Sequence, residues 1–387
     1  MNKSKQTIVT IFLAVVVFAA ALVFPAHTVE AAPNNLITGL LNGLAEWAQV
    51  KDYFSFLNSA RGRGVYAHQL AKEFGVDNNP ELNRKLLAIS NQLLSAVQKT
   101  EEVSFPYTVI LNPQPDFNAV CGPGHNLSIN RGVFEKLQTL DEVAFIVAHE
   151  IGHGQKNHAM KRLDKSLILS LLRQAAVANN PSRANVLLSA IGYNLVSRKG
   201  ISVPHEWEAD NAAFEYATKA GFNPGAGAAA MLKMKEEYGD KAITIIGEII
   251  DPASHPTTPA RIENYSQKLT QYSGGAVVVK NTTVYVNGKS FIDVNWREGK
   301  ASPQAVAFLI GGNLARAYHK YGKFVGDAEV DGDGQVMLRD VFILGYGKNV
   351  ANAHKAASRL NECNGVKTLE IAPPAENGPT ENGNRSN

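Results

Sequence analysis

The sequence predicts an α+β fold: a mainly helical region with a small sheet ahead of one apolar helix, followed by a small C-terminal α+β unit. Three observations carry this expectation. Apolar residues at helical spacing form stripes through most of the chain between residues 36 and 272. Short alternating runs interrupt that period around 107–130 and again from Ala276 onward. Between the first interruption and the later helices lies Val143-Ala-Phe-Ile-Val-Ala-His-Glu-Ile-Gly-His153, apolar from Val143 to Ile151 except at His149 and Glu150. A helix that is apolar nearly all round belongs in a core.

The bulk numbers narrow the function classes. The chain has 387 residues, 45% hydrophobic and 19% charged, enough for one large core or two domains. Its net charge of +3 argues against nucleic acid and against an anionic membrane surface as partners. Residues 1–31 read as an export signal. Lys3 and Lys5 lead an uncharged apolar run from Ile8 to Phe24, Pro25 breaks it, and Val29-Glu30-Ala31 offers a small-residue cleavage site. Removing that leader takes away Lys3, Lys5 and Glu30 and leaves a charge of +2. Membrane attachment is expected only if the leader is retained as an anchor; otherwise the protein is exported, periplasmic or secreted. The next most apolar stretch, Leu167 to Leu195, is broken by Arg173, Asn179, Asn180, Pro181 and Arg183. Cys121 and Cys363 are too far apart in sequence to argue for a bridge, and the absence of C-x-x-C excludes paired-cysteine zinc binding.

Taken in order, Leu36 to Phe56 is helical, with a glycine-rich break at Arg61-Gly-Arg-Gly64, and Val65 to Phe74 is helical again up to Gly75. Pro80 opens a helix from Glu81 to about Thr100 with Leu82, Leu86, Ile89, Leu93 and Val97 on one stripe. Tyr107 to Leu111 and Leu127 to Asn130 read as strands, and Ala119 to Cys121 leads into the loop Gly122-Pro-Gly-His125. An edge of that sheet can take an extended peptide as an added strand. The histidine-bearing helix starts near Asp141 as N-cap. Leu163 to Asn179 and Arg183 to Val196 form a helical hairpin, and Pro204 opens a helix ended by Gly221. Gly225 to Tyr238 and a helix ending near Tyr272 complete the region, with a boundary at Ser273-Gly-Gly275. The expected division is therefore 1–31, a domain over 36–272, a second over 276–371, and a disordered Pro/Asn/Gly/Glu-rich tail over 372–387.

His149 and His153 stand at i and i+4, one above the other on a helix, so both imidazoles can meet one metal ion. Glu150 between them then reaches a water on that metal. The stripe Ala209, Ala213, Phe214 and Ala217, extended backward, puts Glu206 and Asp210 on the buried face of the Pro204 helix. Buried carboxylates need a cation, and zinc supplies it. Glu206 is the better third ligand, and Glu208 the weaker one because it falls on the wet face. A metzincin would need histidine where Ala159 stands and glycine where Lys156 stands. His158, off the metal face, is expected at the surface, and His125 is expected to be incidental.

Asn118-Ala119, His149-Glu-Ile-Gly-His153, Glu206-x-x-Ala-Asp210, Ala220-Gly-Phe-Asn-Pro224 and His255-Pro-x-x-x-x-Arg261 occur in this order. Together they resemble the HtpX and CAAX-prenyl-endopeptidase family of gluzincin metallopeptidases, in particular its soluble exported BepA-like branch, over about Val65 to Tyr272. The resemblance implies a zincin-like metallopeptidase domain and one catalytic Zn2+ held by His149, His153 and Glu206. It also implies Glu150 as general base and Asp210 as an acid or a group orienting a ligand. His255 or Arg261 would stabilise an oxyanion, or Arg261 would tie its loop to the metal helix. The strand edge at Asn118 and Ala119 would hold the backbone of a polypeptide substrate, drawn from exported or misfolded proteins. The rival reading is a zinc-stabilised chaperone-like binding protein with a plugged cleft, which has no use for an intact Glu150.

The C-terminal unit is expected to hold strands at Ala276–Lys280, Thr283–Val286 and Phe291–Val294, a turn at Asn287-Gly288, and a helix from Pro303 to Tyr321. Residues 329–340 place Glu329, Asp331, Asp333 and Asp340 at positions 1, 3, 5 and 12 of a loop with Gly334 at position 6, which is EF-hand spacing for Ca2+. Glu at position 1, Met337 at position 9 and Asp at position 12 depart from it, and a plain Asp-Gly turn is the alternative.

Overall fold

The computed structural model describes residues 55–159, 161, 203–239, 257–322 and 325–365. The expected leader, the helices expected at 36–56 (up to residue 54), 163–179 and 183–196, the loop carrying His255, and the tail lie outside the described residues.

Helix α1 (Ala60–Phe74) is capped by Ser59, whose side chain accepts a bond from the Gly62 amide. It runs straight through Arg61-Gly-Arg-Gly64, where the sequence predicted a break. The glycine at 62 serves a close approach instead: a Cβ there would sit 1.8 Å from the Phe56 carbonyl oxygen. The second helix, α2 (Pro80–Val97), begins with proline in its first turn, and the Asn79 side chain accepts from the Glu81 and Leu82 amides. Its stripe of Leu86, Ile89, Leu93 and Val97 is buried.

A three-stranded sheet follows, made of β1 (Thr108–Asn112), β2 (Ala119–Gly122) and β3 (Asn126–Asn130) in the order β1-β3-β2. The central β3 runs parallel to β1 and antiparallel to β2. Residues 119–122 thus form a strand rather than a lead-in to a loop. The turn back to β3 needs positive φ at Gly124 and at His125.

After the short helix α3 (Arg131–Lys136) comes α4 (Leu140–Gln155), which carries both histidines. Its N-cap is Thr139, not Asp141. Thr139 Oγ1 accepts from the Glu142 amide at 3.2 Å while Glu142 Oε2 accepts from the Thr139 amide at 2.7 Å, a reciprocal capping box. Asp141 is used elsewhere, accepting from the Asn223 amide at 2.9 Å.

Helix α5 (Val203–Lys219) packs along α4. Gly152 sets their spacing, since a Cβ there would meet the Ala209 carbonyl oxygen and the Ala212 methyl at 3.2 Å. Helices α6 (Ala226–Tyr238) and α7 (Thr258–Tyr272) close the other side.

The chain continues through the antiparallel strands β4 (Val277–Lys280), β5 (Thr283–Val286) and β6 (Lys289–Asp293). The β5–β6 turn has Asn287 at φ 49° and Gly288 at φ 80°, the signs a two-residue hairpin demands. Helix α8 (Pro303–Tyr321) then leads to β7 (Ala328–Val330), β8 (Gln335–Leu338), β9 (Val341–Gly345) and α9 (Val350–Asn364). The strands β7, β8 and β9 and the helix α9 have no counterpart in the sequence-based expectation. Cys121 and Cys363 are both buried and unbridged. Among the described residues no helix is long and apolar enough to cross a membrane.

The calcium reading of 329–340 finds no support. The segment is a hairpin between β7 and β8, not a loop between helices. Asp331 Oδ1 accepts from the amides of Asp333 at 3.0 Å and Gln335 at 2.8 Å, the plain turn. Asp340 binds Lys320 Nζ at 2.6 Å and the Tyr321 hydroxyl. Its carboxyl is held down to about 2 by those two bonds.

Helix α8 fastens the C-terminal segment to α6 and α7. Asn223 Nδ2 donates to the Leu309 carbonyl and to Asn313 Oδ1, each at 2.9 Å, and Asn313 Nδ2 donates to the Ile343 carbonyl at 3.0 Å. The contact has no slack: a Cβ on Gly312 would lie 1.7 Å from Asn223 Oδ1 and 2.5 Å from the Gly225 amide nitrogen. Gly312→Ala is therefore expected to lower stability by about 1–3 kcal/mol through overpacking. Gly64→Ala, exposed in α1 with nothing near its Cβ, is expected to raise it by about 0.5–1 kcal/mol. Urea unfolding of the two variants beside the parent reads these opposite signs.

Candidate metal centre

Helix α4 places His149 and His153 on consecutive turns facing α5. Their Nε2 atoms are 3.0 Å apart, and Glu206 from the first turn of α5 closes the triangle. Glu206 Oε2 is 3.6 Å from His149 Nε2, and Glu206 Oε1 is 3.4 Å from His153 Nε2. All three side chains are buried. Among the described residues this is the only cluster whose donor atoms converge as a metal site requires. Burial alone would push the Glu206 carboxyl up, yet the two imidazoles hold it well below its usual range.

These residues fit a tetrahedral metal ion. Ligand atoms at about 2.0–2.1 Å from such an ion stand about 3.3 Å from one another, close to the observed separations. Two imidazole nitrogens facing each other in a dry core are poor company unless a cation or proton lies between them. Among the described residues Glu206 Oε1, buried beside them, has no hydrogen-bond partner. Glu150, also fully buried, follows His149 on the same helix.

Behind this cluster stands Asp210, one turn past Glu206. Its Oδ1 lies 3.0 Å from His149 Nδ1, a close contact that misses hydrogen-bond alignment. Arg261 from α7 grips Asp210 with both arms, Nε to Oδ2 at 2.8 Å and Nη2 to Oδ1 at 2.5 Å. The Tyr265 hydroxyl, one turn further along α7, donates to Oδ1 at 2.6 Å. Burial opposes the Asp210 charge, but the Arg261 guanidinium and His149 outweigh it and hold the carboxyl below its usual range. The same burial, with the Asp210 charge beside it, pushes the Tyr265 hydroxyl well up.

His158 is not at the surface. It is buried, its Nδ1 is 2.8 Å from His153 Nδ1, and its Nε2 is 3.0 Å from Glu208 Oε2. The chain turns at Asn157, with φ 56°, so the helical phase that put His158 on the wet side stops applying before it is reached. Burial and the neighbouring His153 drive the His158 imidazole down to about 3, leaving it neutral. Glu208 lies outside the metal triangle and, among the described residues, meets it through His158.

Ala119 opens β2, and Asn118 precedes it with a buried Oδ1 that has no hydrogen-bond partner among the described residues. His125 is buried too, with Nδ1 2.9 Å from the Phe105 carbonyl oxygen and its ring stacked on Tyr107. A cleft bordered by Phe105, Gly122, Gly124, His125 and Gly154 opens beside His153. His255 lies outside the described residues. Sequence reasoning missed Tyr265 and the burial of His158 against His153. The first was within reach, since Tyr265 stands four residues after Arg261 on the same helix face.

Two imidazoles, a carboxylate and an adjacent glutamate thus meet on a buried helix pair, a residue set able to hold one metal ion. The sequence model of peptidase family M48 matches residues 77–268. A protein of Vibrio cholerae named as a beta-barrel assembly-enhancing protease is 23% identical over 226 residues, 54% of this chain and 43% of the relative. The chain thus matches less than half the length of that relative. The segment 77–268 is a match to peptidase family M48, a family of metallopeptidases, and every element of the metal triangle falls inside it.

Arg261→Leu is expected to leave Asp210 as an unpaired charge in the core and to cost about 3–5 kcal/mol of stability. Arg261→Lys keeps a charge but loses the two-armed grip, so it should cost less than the leucine variant and more than nothing. Chemical unfolding of the metal-free proteins measures both.

Proposed function

We propose that this chain is a zinc-dependent endopeptidase acting on exported or misfolded polypeptides. The observation that carries this reading is the convergence of His149, His153 and Glu206 with Glu150 one residue from a ligand, all in a water-poor core. His149, His153 and Glu206 would hold the zinc. Once bound, zinc supplies Lewis acidity, lowering the pKa of a water and polarising a carbonyl.

The remaining chemistry falls to the chain. Glu150 accepts a proton from the attacking water and returns it to the departing amine. Asp210, beside His149 Nδ1, keeps that ring oriented with Nε2 toward the metal, and Arg261 and Tyr265 keep Asp210 in place. With both arms on Asp210, Arg261 is assigned to this tie, and His255 is left as the candidate for steadying the oxyanion. The β2 edge at Asn118 and Ala119, next to the cleft beside His153, would hold substrate backbone as an added strand.

The peptidase domain is assigned to 36–272 and the following unit to 276–371. Residues 1–31 would export the protein to the periplasm or beyond. The relative's name connects it with β-barrel assembly, and exported barrel proteins are accordingly the first substrates to test.

Purified protein is expected to degrade casein, to stop when zinc is chelated and to recover when zinc is returned. Glu150→Gln is expected to keep its zinc and to lose cleavage by about 10²–10⁴-fold. Cleavage by Glu150→Gln at the parental rate would contradict the mechanism. A zinc-loaded parent that leaves casein and unfolded barrel proteins intact would favour the chaperone-like alternative.

A further inference from the structure

We propose that His158 is a positioning residue for the metal ligand His153, the middle link of a chain running from Glu208 through His158 to His153. The inference rests on the metal centre proposed above and extends it by one layer.

The argument follows the protons. For His153 to offer the lone pair of Nε2 to a cation, its ring proton has to sit on Nδ1. That atom is 2.8 Å from His158 Nδ1, which therefore accepts. A neutral His158 that accepts at Nδ1 carries its own proton on Nε2, and Nε2 is 3.0 Å from Glu208 Oε2. Each nitrogen along the chain then has one role, and the carboxylate at its end fixes the tautomer of both rings. Reversing either ring would set two donors or two acceptors against each other in a site with little water to separate them.

The surroundings hold His158 in this pose. Its ring lies stacked on His205 with centroids 4.3 Å apart and planes 16° from parallel. The positive φ at Asn157 aims it back at α4. Glu208, 42% exposed, has Lys161 Nζ 4.0 Å away, so its charge is partly solvated and is not stranded in the core. Each histidine ligand thus has its own carboxylate: Asp210 directly beside His149, and Glu208 behind His153 at one imidazole's remove. Groups in this outer position orient the ligand ring and raise its basicity, and their loss commonly weakens metal binding by about 10–100-fold.

The test is zinc affinity of the full chain, measured by competition with a chromogenic chelator, together with the visible spectrum of the cobalt(II)-substituted protein. His158→Phe fills the space but removes the acceptor. It is expected to weaken zinc binding by about 10–100-fold and to alter the cobalt spectrum. His158→Gln, which keeps a carbonyl acceptor, is expected to recover part of the loss. Glu208→Ala, at the surface end of the chain, should weaken binding severalfold without changing the thermal melt of the metal-free protein. Parental affinity and spectrum in both His158→Phe and Glu208→Ala would overturn the proposal. If His158→Phe does not fold, the Glu208→Ala result decides alone. Zinc binding that survives His149→Ala or Glu206→Ala unchanged would overturn the metal centre itself, an outcome distinct from failure of the relay.

Discussion

The structure depends on the close approach of two helices that carry opposite halves of one polar cluster into the core. Helix α4 supplies two imidazoles and α5 a carboxylate, and the glycine at 152 lets the backbones come near enough for the three to meet. Three buried polar side chains with few hydrogen bonds among them cost stability wherever they stand, because water has been removed and little has replaced it. A divalent cation reverses that balance. It would turn the imidazole lone pairs and the Glu206 carboxylate from a penalty into ligands, at separations close to those of tetrahedral coordination.

Much of the remaining architecture serves to hold that cluster still. Behind His149 the chain of support runs through Asp210 to Arg261 and Tyr265 on α7, a buried ion pair whose geometry is set by two parallel bonds. At the far end, α4 is fixed at its N-terminus by the Thr139–Glu142 box and by Asp141, which accepts from Asn223. Asn223 in turn is bonded to Leu309 and Asn313 of α8. The loop before α8 reaches the same place, where the Lys300 amide donates to Gln138 at 2.9 Å. The C-terminal segment is therefore continuous, through named hydrogen bonds, with the start of the helix that bears His149 and His153.

The parts legible in the sequence are those governed by helical phase within a single uninterrupted helix. His149, His153, Glu206 and Asp210 could be assigned to buried faces because α4 and α5 keep one period across all four. The same reasoning failed for His158, three residues beyond the end of α4, where the turn at Asn157 resets the direction of the chain. It also failed at the start of α4, since Asp141 and Thr139 are both good caps and only the tertiary partner Asn223 decides between them. The acidic run at 329–340 misled for a related reason. An EF-hand sets its twelve-residue loop between two helices, whereas here strand pairing between Glu329 and Met337 makes the segment a hairpin. Helix α9 was missed because its buried side is built of Ala353, Ala356, Ala357, Leu360 and Cys363, small residues that make a faint stripe.

The most direct measurement of the central claim is X-ray absorption at the zinc edge of the purified protein, compared with Glu206→Ala. The account expects a nitrogen and oxygen shell at about 2.0–2.1 Å with the outer scattering of two imidazoles, no sulfur at about 2.3 Å, and loss of the site in the variant. A sulfur ligand, or a zinc shell that persists unchanged without Glu206, would contradict it.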